Sequence, residues 1–515
     1  MSSSSSTPRV LIVGAGPTGL TMASELVRHG VAVRIVERNA GPSIHSKALV
    51  VQPRTLEVFH AMGIADEATS AAQTVFRMRA NLDGKEVPWI QFVDVDGPWS
   101  RPIMLRQSRS EAILAGLLAR QGVTIEWGKP LARFVDESEG VVAYFEDGET
   151  ARFDYIVGCD GAHSLVRKQL GLAFEGTTYE NDFLQVDCKV RWDHPYDAGQ
   201  GFFTDEGALV CLPLGGESFR FILIRRERPA DAPDEPALSE FQAALDALLP
   251  GQAELHSPEW LIRFRLHERL AAHYRVGRAL LAGDAAHIHT PAGGQGMNTG
   301  IQDAYNLAWK LALVLHGHAG EPLLDSYEAE RRPIAADVLR FTDLAFRTGL
   351  GANYLVRKLR PLIMPLVFGS RWASSKATRV VAQLEVNVRR SPIVEDHRLF
   401  PSGPHAGDRA PDAGFLLDEG AASPREVRVF DYLRGTKHVV FAHCAHTHQL
   451  AHLRRELPAG LVELVIADEG DELEERYHLG DGPALWVMRP DGYLGYRQSS
   501  DDPAPLLAWL RGVLA

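Results

Sequence analysis

Apolar runs and helical periodicity alternate over the first ordered part of the chain. Val10–Val13 is an uninterrupted apolar run that ends at Gly14, a pattern typical of a buried strand. Residues 18–29 follow with helical periodicity and end at Gly30, and Val31–Val36 is a second apolar run. A strand, a helix and a strand in so short a span predict a βαβ unit, and therefore a parallel sheet.

The pattern changes between about residues 180 and 260. Three short runs there are rich in β-branched and aromatic residues, namely Phe183–Val190, Gly207–Pro213 and Phe219–Arg225. Such runs favour strands, and their close spacing predicts an antiparallel sheet. This part of the chain is therefore expected to form a unit separate from the βαβ region.

The rest of the chain is predicted to be helical and then mixed. Apolar residues recur at three- and four-residue steps from Ile301 to Leu315, and residues 300–390 as a whole favour helix. Residues 395–411 are rich in proline and glycine, which is typical of a linker. Beyond the linker the sequence predicts a small α/β unit with strands at Val439–Ala442, Leu461–Ala467 and Ala484–Met488 and a last helix at Ala504–Leu514.

Composition narrows the class of protein. The 515 residues are 45% hydrophobic and 23% charged, as in soluble globular proteins, and the net charge of −12 argues against a nucleic-acid partner. Cys159, Cys188, Cys211 and Cys444 are not spaced as metal or redox pairs, which fits a reducing cytoplasm. No stretch reaches the ~20 uninterrupted apolar residues of a membrane-spanning helix. We therefore expect a cytoplasmic protein without a membrane, nucleic-acid or metal partner.

A glycine pattern between the first strand and the first helix predicts a dinucleotide site. In Gly14-Ala15-Gly16-Pro17-Thr18-Gly19 the first glycine permits a tight turn, the second lets the backbone approach a pyrophosphate, and the third lets the helix pack closely on the strand. Glu37, after the second strand, can bind ribose hydroxyls and would repel a 2′-phosphate, which favours FAD or NAD over NADP at this site. The sequence has no second such triplet, which disfavours separate nucleotide domains for FAD and NADPH.

Two later motifs bear on the cofactor. Tyr155–Gly161 predicts a strand followed by an Asp-Gly turn, which alone would be an ordinary turn. The second motif is sharper: the predicted strand Leu280–Ala282 leads to Asp284, and a glycine-rich loop, Pro291–Gly296, opens a helix that begins near Asn298. The partial positive charge of a helix N-terminus would favour an anionic reduced flavin.

These three motifs, in this order, resemble the single-component FAD-dependent aromatic hydroxylases, also called group A flavoprotein monooxygenases, whose type member is p-hydroxybenzoate hydroxylase. The closer likeness is to the phenol, pentachlorophenol and polyketide hydroxylase branch, which carries a C-terminal thioredoxin-like domain. The motifs span residues 9–345, and the block GDAAHIHTPAGGQGMN is highly specific. The match beyond residue 400 is looser.

The resemblance implies an α/β fold of three units. A Rossmann-like FAD-binding domain would comprise residues 9–180 with 261–345, and an inserted mixed or antiparallel sheet, 181–260, with the helical segment 346–395, would form the middle, substrate-binding domain. Residues 400–515 would form a thioredoxin-like α/β domain. The redox pair of that domain is missing, because only Cys444 follows the predicted strand and no second cysteine stands two or three residues on.

The resemblance also implies roles for individual residues. Gly14, Gly16 and Gly19, with Ala15, Pro17 and Thr18 between them, would line the pyrophosphate of FAD, and Glu37 would bind the adenosine ribose with Arg38 beside it. Lys47 stands where many members have an arginine that contacts phosphate. The remaining implied contacts are to the ribityl chain by Gln107, to the ribityl chain or the pyrophosphate by Asp284, to FAD and NAD(P)H by Asp160, and to the isoalloxazine edge by Pro291, Gly294, Gln295, Gly296, Met297 and Asn298.

The chemistry implied by the resemblance is aromatic hydroxylation. NAD(P)H would reduce non-covalently bound FAD, and dioxygen would add as a C4a-hydroperoxide that hydroxylates a phenolic or polycyclic aromatic substrate. Leu49 stands where some members carry an acid, so the sequence names no catalytic base. The alternatives are a Baeyer–Villiger or epoxidising enzyme of the same fold, a flavin halogenase, whose Trp-x-Trp-x-Ile signature is absent, and a non-catalytic flavin-bound module. The oligomeric state stays open, with a homodimer among the options.

Overall fold

The structure is a computed structural model. It describes residues 7–43, 48–74, 77–82, 85–86, 90–91, 97–204, 206–228, 232–233, 235–249, 251–290, 292–350, 371–397, 403–417, 425–467, 470–480 and 482–514. The helices in these ranges are Pro17–Arg28 (α1), Pro53–Ala61 (α2), Ala65–Ser70 (α3), Gln107–Arg120 (α4), Leu165–Gln169 (α5), Leu238–Leu248 (α6), Gly296–Leu315 (α7), Pro322–Leu350 (α8), Arg371–Val381 (α9), Thr447–Glu456 (α10), Asp471–Tyr477 (α11) and Pro503–Val513 (α12).

A six-stranded sheet forms the centre of the nucleotide-binding unit. Its strands lie in the order Arg275–Val276, Ala279–Leu281, Tyr155–Gly158, Val10–Val13, Val33–Glu37 and Ile125–Trp127, and all but the first pair are parallel. All four residues of Val10–Val13 are buried, since helices cover both faces of a parallel sheet. This confirms the parallel α/β unit that the apolar runs predict.

Helices α1, α4 and α7 pack together on this sheet. The helix α1 begins with Pro17 at its first position, where no backbone N–H is needed, and it buries eight consecutive residues from Gly19 to Leu26. Such complete burial of one segment follows from packing against α4 and α7 as well as the sheet. The predicted helix 18–29 is thus displaced by one residue at each end.

The middle sheet has eight strands. In spatial order they are Ala253–Phe264, Asp182–Trp192, Ser218–Arg225, Gly207–Gly215, Gly199–Phe203, Arg77–Leu82 and Lys85–Glu86, with Ile90–Gln91 paired to Arg77–Leu82. Arg77–Leu82 pairs in parallel with Gly199–Phe203, although the sequence division places residues 9–180 in the nucleotide unit. The sheet therefore takes strands from two distant parts of the chain.

The two faces of the middle sheet differ. One face packs against α6, where Phe219, Phe221 and Leu245 belong to one apolar core. The opposite face turns to the nucleotide unit, where Leu212 and Leu214 pack on Leu49 and Met104. The alternation of side chains along each strand explains why neighbouring residues serve different units.

Smaller sheets and the helical segment complete these units. The sheets comprise Leu131–Glu137, Gly140–Phe145 and Thr150–Phe153; Phe174–Thr178, His267–Ala271 and His287–Ile288; and Val50–Val51, Ile103–Met104 and Gln73–Thr74. Short 3-10 turns lie at Gly283–Ala285, Ala292–Gly294 and Val429–Arg434. The predicted helical region is α7, α8 and α9, and residues 351–370 within it lie outside the described residues.

The C-terminal unit is a mixed sheet between helices. Its strands lie in the order Glu395–His397, Leu494–Gln498, Ala484–Met488, His438–His443 and Val462–Ile466, and Gly414–Leu417 pairs with Arg425–Arg428 beside it. The predicted strand Ala484–Met488 has the predicted bounds, and the last helix, α12, starts one residue early. No helix in the described part of the chain is both long and apolar enough to cross a membrane.

Candidate functional site

The carboxyl ends of four neighbouring parallel strands bring the predicted motifs together. Gly14 follows Val10–Val13, Glu37 ends the next strand, Asp160 comes two residues after Tyr155–Gly158, and Asp284 follows Ala279–Leu281. These strands are adjacent in the sheet, so their carboxyl ends meet at one edge. Ligands of open α/β sheets bind at this edge.

The glycines of the first motif have different surroundings. Gly14 has a φ of +105°, and a Cβ there would lie 2.4 Å from the carbonyl oxygen of Cys159, so the fold itself requires glycine. Gly16 has a φ of −76°, and a Cβ there would meet no protein atom within 4 Å. The space beside Gly16, at the N-terminus of α1, is suited to the close approach of a pyrophosphate.

Glu37 lies against the glycine turn. Its carboxylate accepts hydrogen bonds from the backbone N–H of Ala15 at 3.0 Å and from the Asn39 backbone and side chain at 3.0 and 2.7 Å. Arg38, the next residue, is exposed. The structure thus places Glu37 against Ala15 of the glycine turn.

The side chain of Asp160 bonds to the protein backbone, a contact that the sequence does not suggest. Its Oδ2 accepts hydrogen bonds from the backbone N–H groups of Leu165 at 2.6 Å and Val166 at 3.2 Å, at the start of α5. Burial raises the pKa of this carboxyl. The contacts of Asp160 therefore order the turn after its strand.

Arg167 follows the Asp-Gly motif in the sequence, which by itself assigns it no role. Its guanidinium donates to the carbonyl oxygens of Ala285 at 2.8 Å and Ala162 at 2.9 Å, and it lies 3.7 Å from the ring centre of Phe174. Arg167 joins the turn after Asp160 to the turn that carries Asp284. Its place shortly after the Asp-Gly dipeptide was the only available signal.

A buried ion-pair network supports the turn of Asp284, whose own side chain is exposed. Asp303 accepts hydrogen bonds from the Gly283 backbone at 3.2 Å, His287 Nε2 at 2.6 Å and Arg331 Nε at 2.7 Å. Burial opposes ionisation of Asp303, but His287 and Arg331 hold its pKa below the ordinary value. The anionic carboxylate of Asp303 therefore holds the turn at Gly283, next to Asp284, from the buried side.

Thr18 packs where the same turn meets α7. An added Cβ at Gly283 or at Gly300 would lie 2.5 Å from Thr18 Oγ1. The threonine thus fills the junction between α1, α7 and the Asp284 turn, while Met297 is buried in the first turn of α7.

The described part of the glycine-rich loop, residues 292–295, and the first turn of α7 that follows it are held on one side by Gln52 and Asn298. The Oδ1 of Asn298 accepts from the backbone N–H of Gln52 at 2.9 Å, and its Nδ2 donates to the carbonyl oxygens of Val50 and Gly294 at 2.8 and 2.7 Å. The Gln52 side chain donates to the carbonyl oxygen of Gly293 at 2.9 Å. Pro291 lies outside the described residues.

On its other side the loop is held by the end of α9. Gln295 Nε2 donates to the carbonyl oxygen of Val381 at 2.9 Å. The buried Gln383 accepts from Gln302 Nε2 at 2.5 Å and donates to Thr299 Oγ1 at 3.1 Å. Sequence reasoning missed both Gln52 and Gln383. The residues around each glutamine give no signal of a hydrogen bond to a loop or helix far away in the chain.

Gln107 supports the segment that leads into the small sheet. Its Oε1 accepts from the Ala48 backbone N–H at 3.0 Å, and its Nε2 donates to Glu111 at 2.8 Å. Burial raises the pKa of Glu111. Lys47, immediately before Ala48, lies outside the described residues.

A cavity of about 800 Å³ lies between the nucleotide unit and the middle sheet. Leu49, Met104, Leu105 and Leu214 supply much of its apolar wall, and Arg106 and Arg109 contribute charge. Its volume is within the range of small-molecule sites. The lining residues come from both units, so their junction forms the site.

Comparison with known proteins agrees with this geometry. A family model described as an FAD binding domain matches residues 7–342. The chain belongs to the FAD-dependent aromatic hydroxylases of the group A type. It is 34% identical to 6-methylpretetramide 4-monooxygenase of Streptomyces rimosus, over 98% of this chain and 93% of that protein. It is 31% identical to pentachlorophenol 4-monooxygenase of Sphingobium chlorophenolicum, over 96% and 94%.

Solved structures of this hydroxylase family share the fold. A ternary complex of aklavinone-11 hydroxylase with FAD and aklavinone has a TM-score of 0.81 at 27% identity, covering 98% of this chain and 99% of that one. The angucycline aromatic hydroxylase CabE has a TM-score of 0.79 at 29% identity, covering 99% and 100%. The matches extend over the C-terminal unit.

The residues of this hydroxylase fit FAD. The open space at Gly16 lies at a helix N-terminus, where anions bind, and the exposed Asp284 stands at the same sheet edge. The glycine-rich loop precedes α7, whose 20 residues provide a positive N-terminal potential. The glycine motif and Asp284 would hold the nucleotide, and the loop would contact the flavin ring.

The C-terminal unit supplies one exposed thiol to this enzyme. Cys444 follows the strand His438–His443, and its Sγ lies 3.4 Å from His443 Nε2. Because a dithiol cycle needs two thiols, we expect Cys444→Ser to leave aromatic-dependent NAD(P)H oxidation and its coupling to product unchanged. A large loss of turnover in the folded variant, measured with product and peroxide assays, would contradict this expectation.

Proposed function

We propose that this hydroxylase uses NAD(P)H and dioxygen to hydroxylate a phenolic or polycyclic aromatic substrate in the cavity between the nucleotide unit and the middle sheet. The relatives named above support the reaction class, and the position of the cavity supports the site. We further propose a cytoplasmic enzyme that binds FAD without a covalent bond.

One observation carries the proposal: the cavity adjoins the segment that Gln107 supports. Leu49 and Leu105 line the cavity, and the Leu105 backbone N–H donates to the Leu49 carbonyl oxygen at 2.8 Å. Ala48, one residue before Leu49, is the hydrogen-bond partner of Gln107. The segment that Gln107 holds at Ala48 therefore continues directly into the cavity wall at Leu49. The cavity is thus expected to lie beside the ribityl chain of FAD.

The chain contributes orientation and exclusion of water. Bound FAD would accept electrons from the nicotinamide and, once reduced, would activate dioxygen. Leu214 of the middle sheet packs with Leu49 and Met104, and these three side chains give the substrate an apolar surface in the cavity. Gln52 and Gln383 hold the glycine-rich loop and the first turn of α7 in place.

A substrate screen tests this function. Purified FAD-loaded protein is mixed with a panel of phenols and polycyclic quinones, and NAD(P)H consumption, hydrogen peroxide and product mass are measured together. We expect slow oxidation without an aromatic compound and faster, product-forming oxidation with at least one compound of the panel. Release of all reducing equivalents as peroxide with every compound would contradict the proposal, and insertion of oxygen into a ring bond would indicate Baeyer–Villiger chemistry.

A further inference from the structure

A turn of the C-terminal unit, residues 490–492, lies buried against α7. The hydroxyl of Tyr305 donates to the carbonyl oxygen of Pro490 at 2.9 Å, and Asn306 Nδ2 donates to Asp491 Oδ2 at 2.8 Å. All of these side chains are at most 3% exposed. The turn is therefore hydrogen-bonded to the middle of α7, the helix that follows the glycine-rich loop.

The same turn also contacts α2. Arg54 donates to the carbonyl oxygen of Asp491 at 2.7 Å and pairs with Glu57 at 2.7 Å. Glu57 in turn accepts from Arg409, which follows the strand Glu395–His397 of the C-terminal sheet, at 2.8 Å. Each of these side chains is less than a tenth exposed. Two helices of the nucleotide unit are thus attached to one turn of another unit.

A fully buried charge cluster makes this attachment rigid. Glu330 of α8 accepts from Arg489 at 2.7 and 2.9 Å, from Lys310 at 2.7 Å and from Asn306 at 2.7 Å. Arg489 also pairs with Asp491. Removing one partner of such a cluster leaves an uncompensated buried charge. The junction is therefore expected to keep a single arrangement.

Both helices lead back to the glycine-rich loop. Helix α2 starts after Gln52, which donates to Gly293 and to Asn298, and α7 starts at Gly296. Tyr305 lies roughly 13 Å along α7 from that start, at 1.5 Å per residue. A helix moves as a rigid rod over this distance. The distance between the N-termini of α2 and α7 therefore depends on the turn at residues 490–492, which bonds both helices.

We infer that the C-terminal unit, which lacks a dithiol, positions the glycine-rich loop through the turn at residues 490–492. Tyr305 and Arg54 are the positioning residues on the two helices. The inference goes beyond the proposed substrate chemistry and rests only on FAD binding by the family. Loosening the turn would let the loop move, which would weaken FAD binding and let reduced flavin reduce dioxygen to hydrogen peroxide without hydroxylating the substrate.

A pair of tyrosine variants tests the inference. Tyr305→Phe removes the hydrogen bond to Pro490, and Tyr477→Phe removes a matched bond to the carbonyl oxygen of Pro411 at 2.8 Å inside the C-terminal unit. Each tyrosine is 3% exposed, so both variants lose the same kind of buried hydrogen bond. The full chain is used throughout.

We expect Tyr305→Phe alone to raise the Kd of FAD by roughly threefold to tenfold, within the range of coupling between distant sites. It should also raise the peroxide released per NAD(P)H and speed amide exchange in residues 292–298. Arg54→Lys keeps the charge beside Glu57 but loses the guanidinium fork, so it should act in the same direction from α2. It also provides a second test if Tyr305→Phe does not fold.

Three outcomes would overturn the inference. The first is an unchanged FAD Kd and loop exchange in Tyr305→Phe and Arg54→Lys. The second is an equal effect in Tyr477→Phe, which would mean a general loss of stability. The third is a wild-type protein that binds no FAD, which would refute the site itself. Normal FAD binding without any aromatic turnover would refute only the proposed function.

Discussion

Gly16→Val is expected to weaken FAD binding strongly and to leave the fold intact. A Cβ at Gly16 would meet no protein atom within 4 Å, and the φ of −76° is accessible to valine, so we expect the fold to accommodate the substitution. The branched side chain would occupy the space at the N-terminus of α1 that a pyrophosphate needs. We expect FAD to bind at least about 100-fold more weakly, as measured by fluorescence titration, which corresponds to roughly 3 kcal/mol.

Gly512→Val provides a matched control. Gly512 lies in α12 of the C-terminal unit, and a Cβ there also meets no protein atom within 4 Å. Its variant should keep the FAD affinity and the thermal transition of the wild type. Normal FAD affinity in a folded Gly16→Val protein would mean that the nucleotide does not approach this turn.

Asp303→Ala is expected to cost about 3–5 kcal/mol of unfolding free energy, the penalty for breaking a buried ion pair. The side chains of Asp303 and His287 are fully buried and that of Arg331 is 1% exposed, so the variant leaves a buried guanidinium without its carboxylate. Loss of the hydrogen bond to the Gly283 backbone also frees the turn that carries Asp284. Denaturant unfolding of the apoprotein measures the loss separately from FAD binding.

The same carboxylate gives a prediction for acid stability. The pKa of Asp303 in the folded protein lies below its ordinary value, because His287 and Arg331 outweigh the effect of burial. The stabilisation is therefore fully present above the unfolded pKa of about 3.9 and is lost as pH falls through the lower folded pKa. The wild type should lose stability steeply below about pH 4, and Asp303→Ala should show a shallower slope there.

Asp325→Ala is the control for both measurements. Asp325 pairs with Arg275 at 2.8 Å, but its side chain is 72% exposed, and such surface pairs contribute about 0–1 kcal/mol. Its variant should unfold within about 1 kcal/mol of the wild type and keep the wild-type acid slope. Equal losses in the two variants would refute the special role of the buried network.

The nucleotide unit was largely predictable because its signals are local. A buried parallel strand appears in the sequence as a continuous apolar run, as in Val10–Val13. The glycine turn after that run marks the carboxyl end of the strand, and Glu37 and Asp284 lie at the same edge of the sheet. The bounds of α1 and α12 differ from the predicted ones by one residue, as expected where helix ends fray.

The contacts that complete the site could not be predicted, because they join distant parts of the chain. Gln383 reaches Thr299 from 84 positions away, and Gln52 reaches Gly293 across 241 positions. The strand Arg77–Leu82 joins the middle sheet in parallel with Gly199–Phe203, a pairing that no local pattern specifies. Conversely, the Asp-Gly motif was found, but its carboxylate caps α5, a contact that the motif alone does not reveal.

Isotope labelling tests the central claim most directly. The FAD-loaded enzyme, supplied with NAD(P)H and an aromatic compound that stimulates turnover, is run under ¹⁸O₂ in unlabelled water, and the product is analysed by mass spectrometry. A monooxygenase places one atom of dioxygen in the product and releases the other as water, so we predict a single ¹⁸O atom in each product molecule. A product whose new oxygen comes from water, or recovery of all label as hydrogen peroxide, would contradict the account.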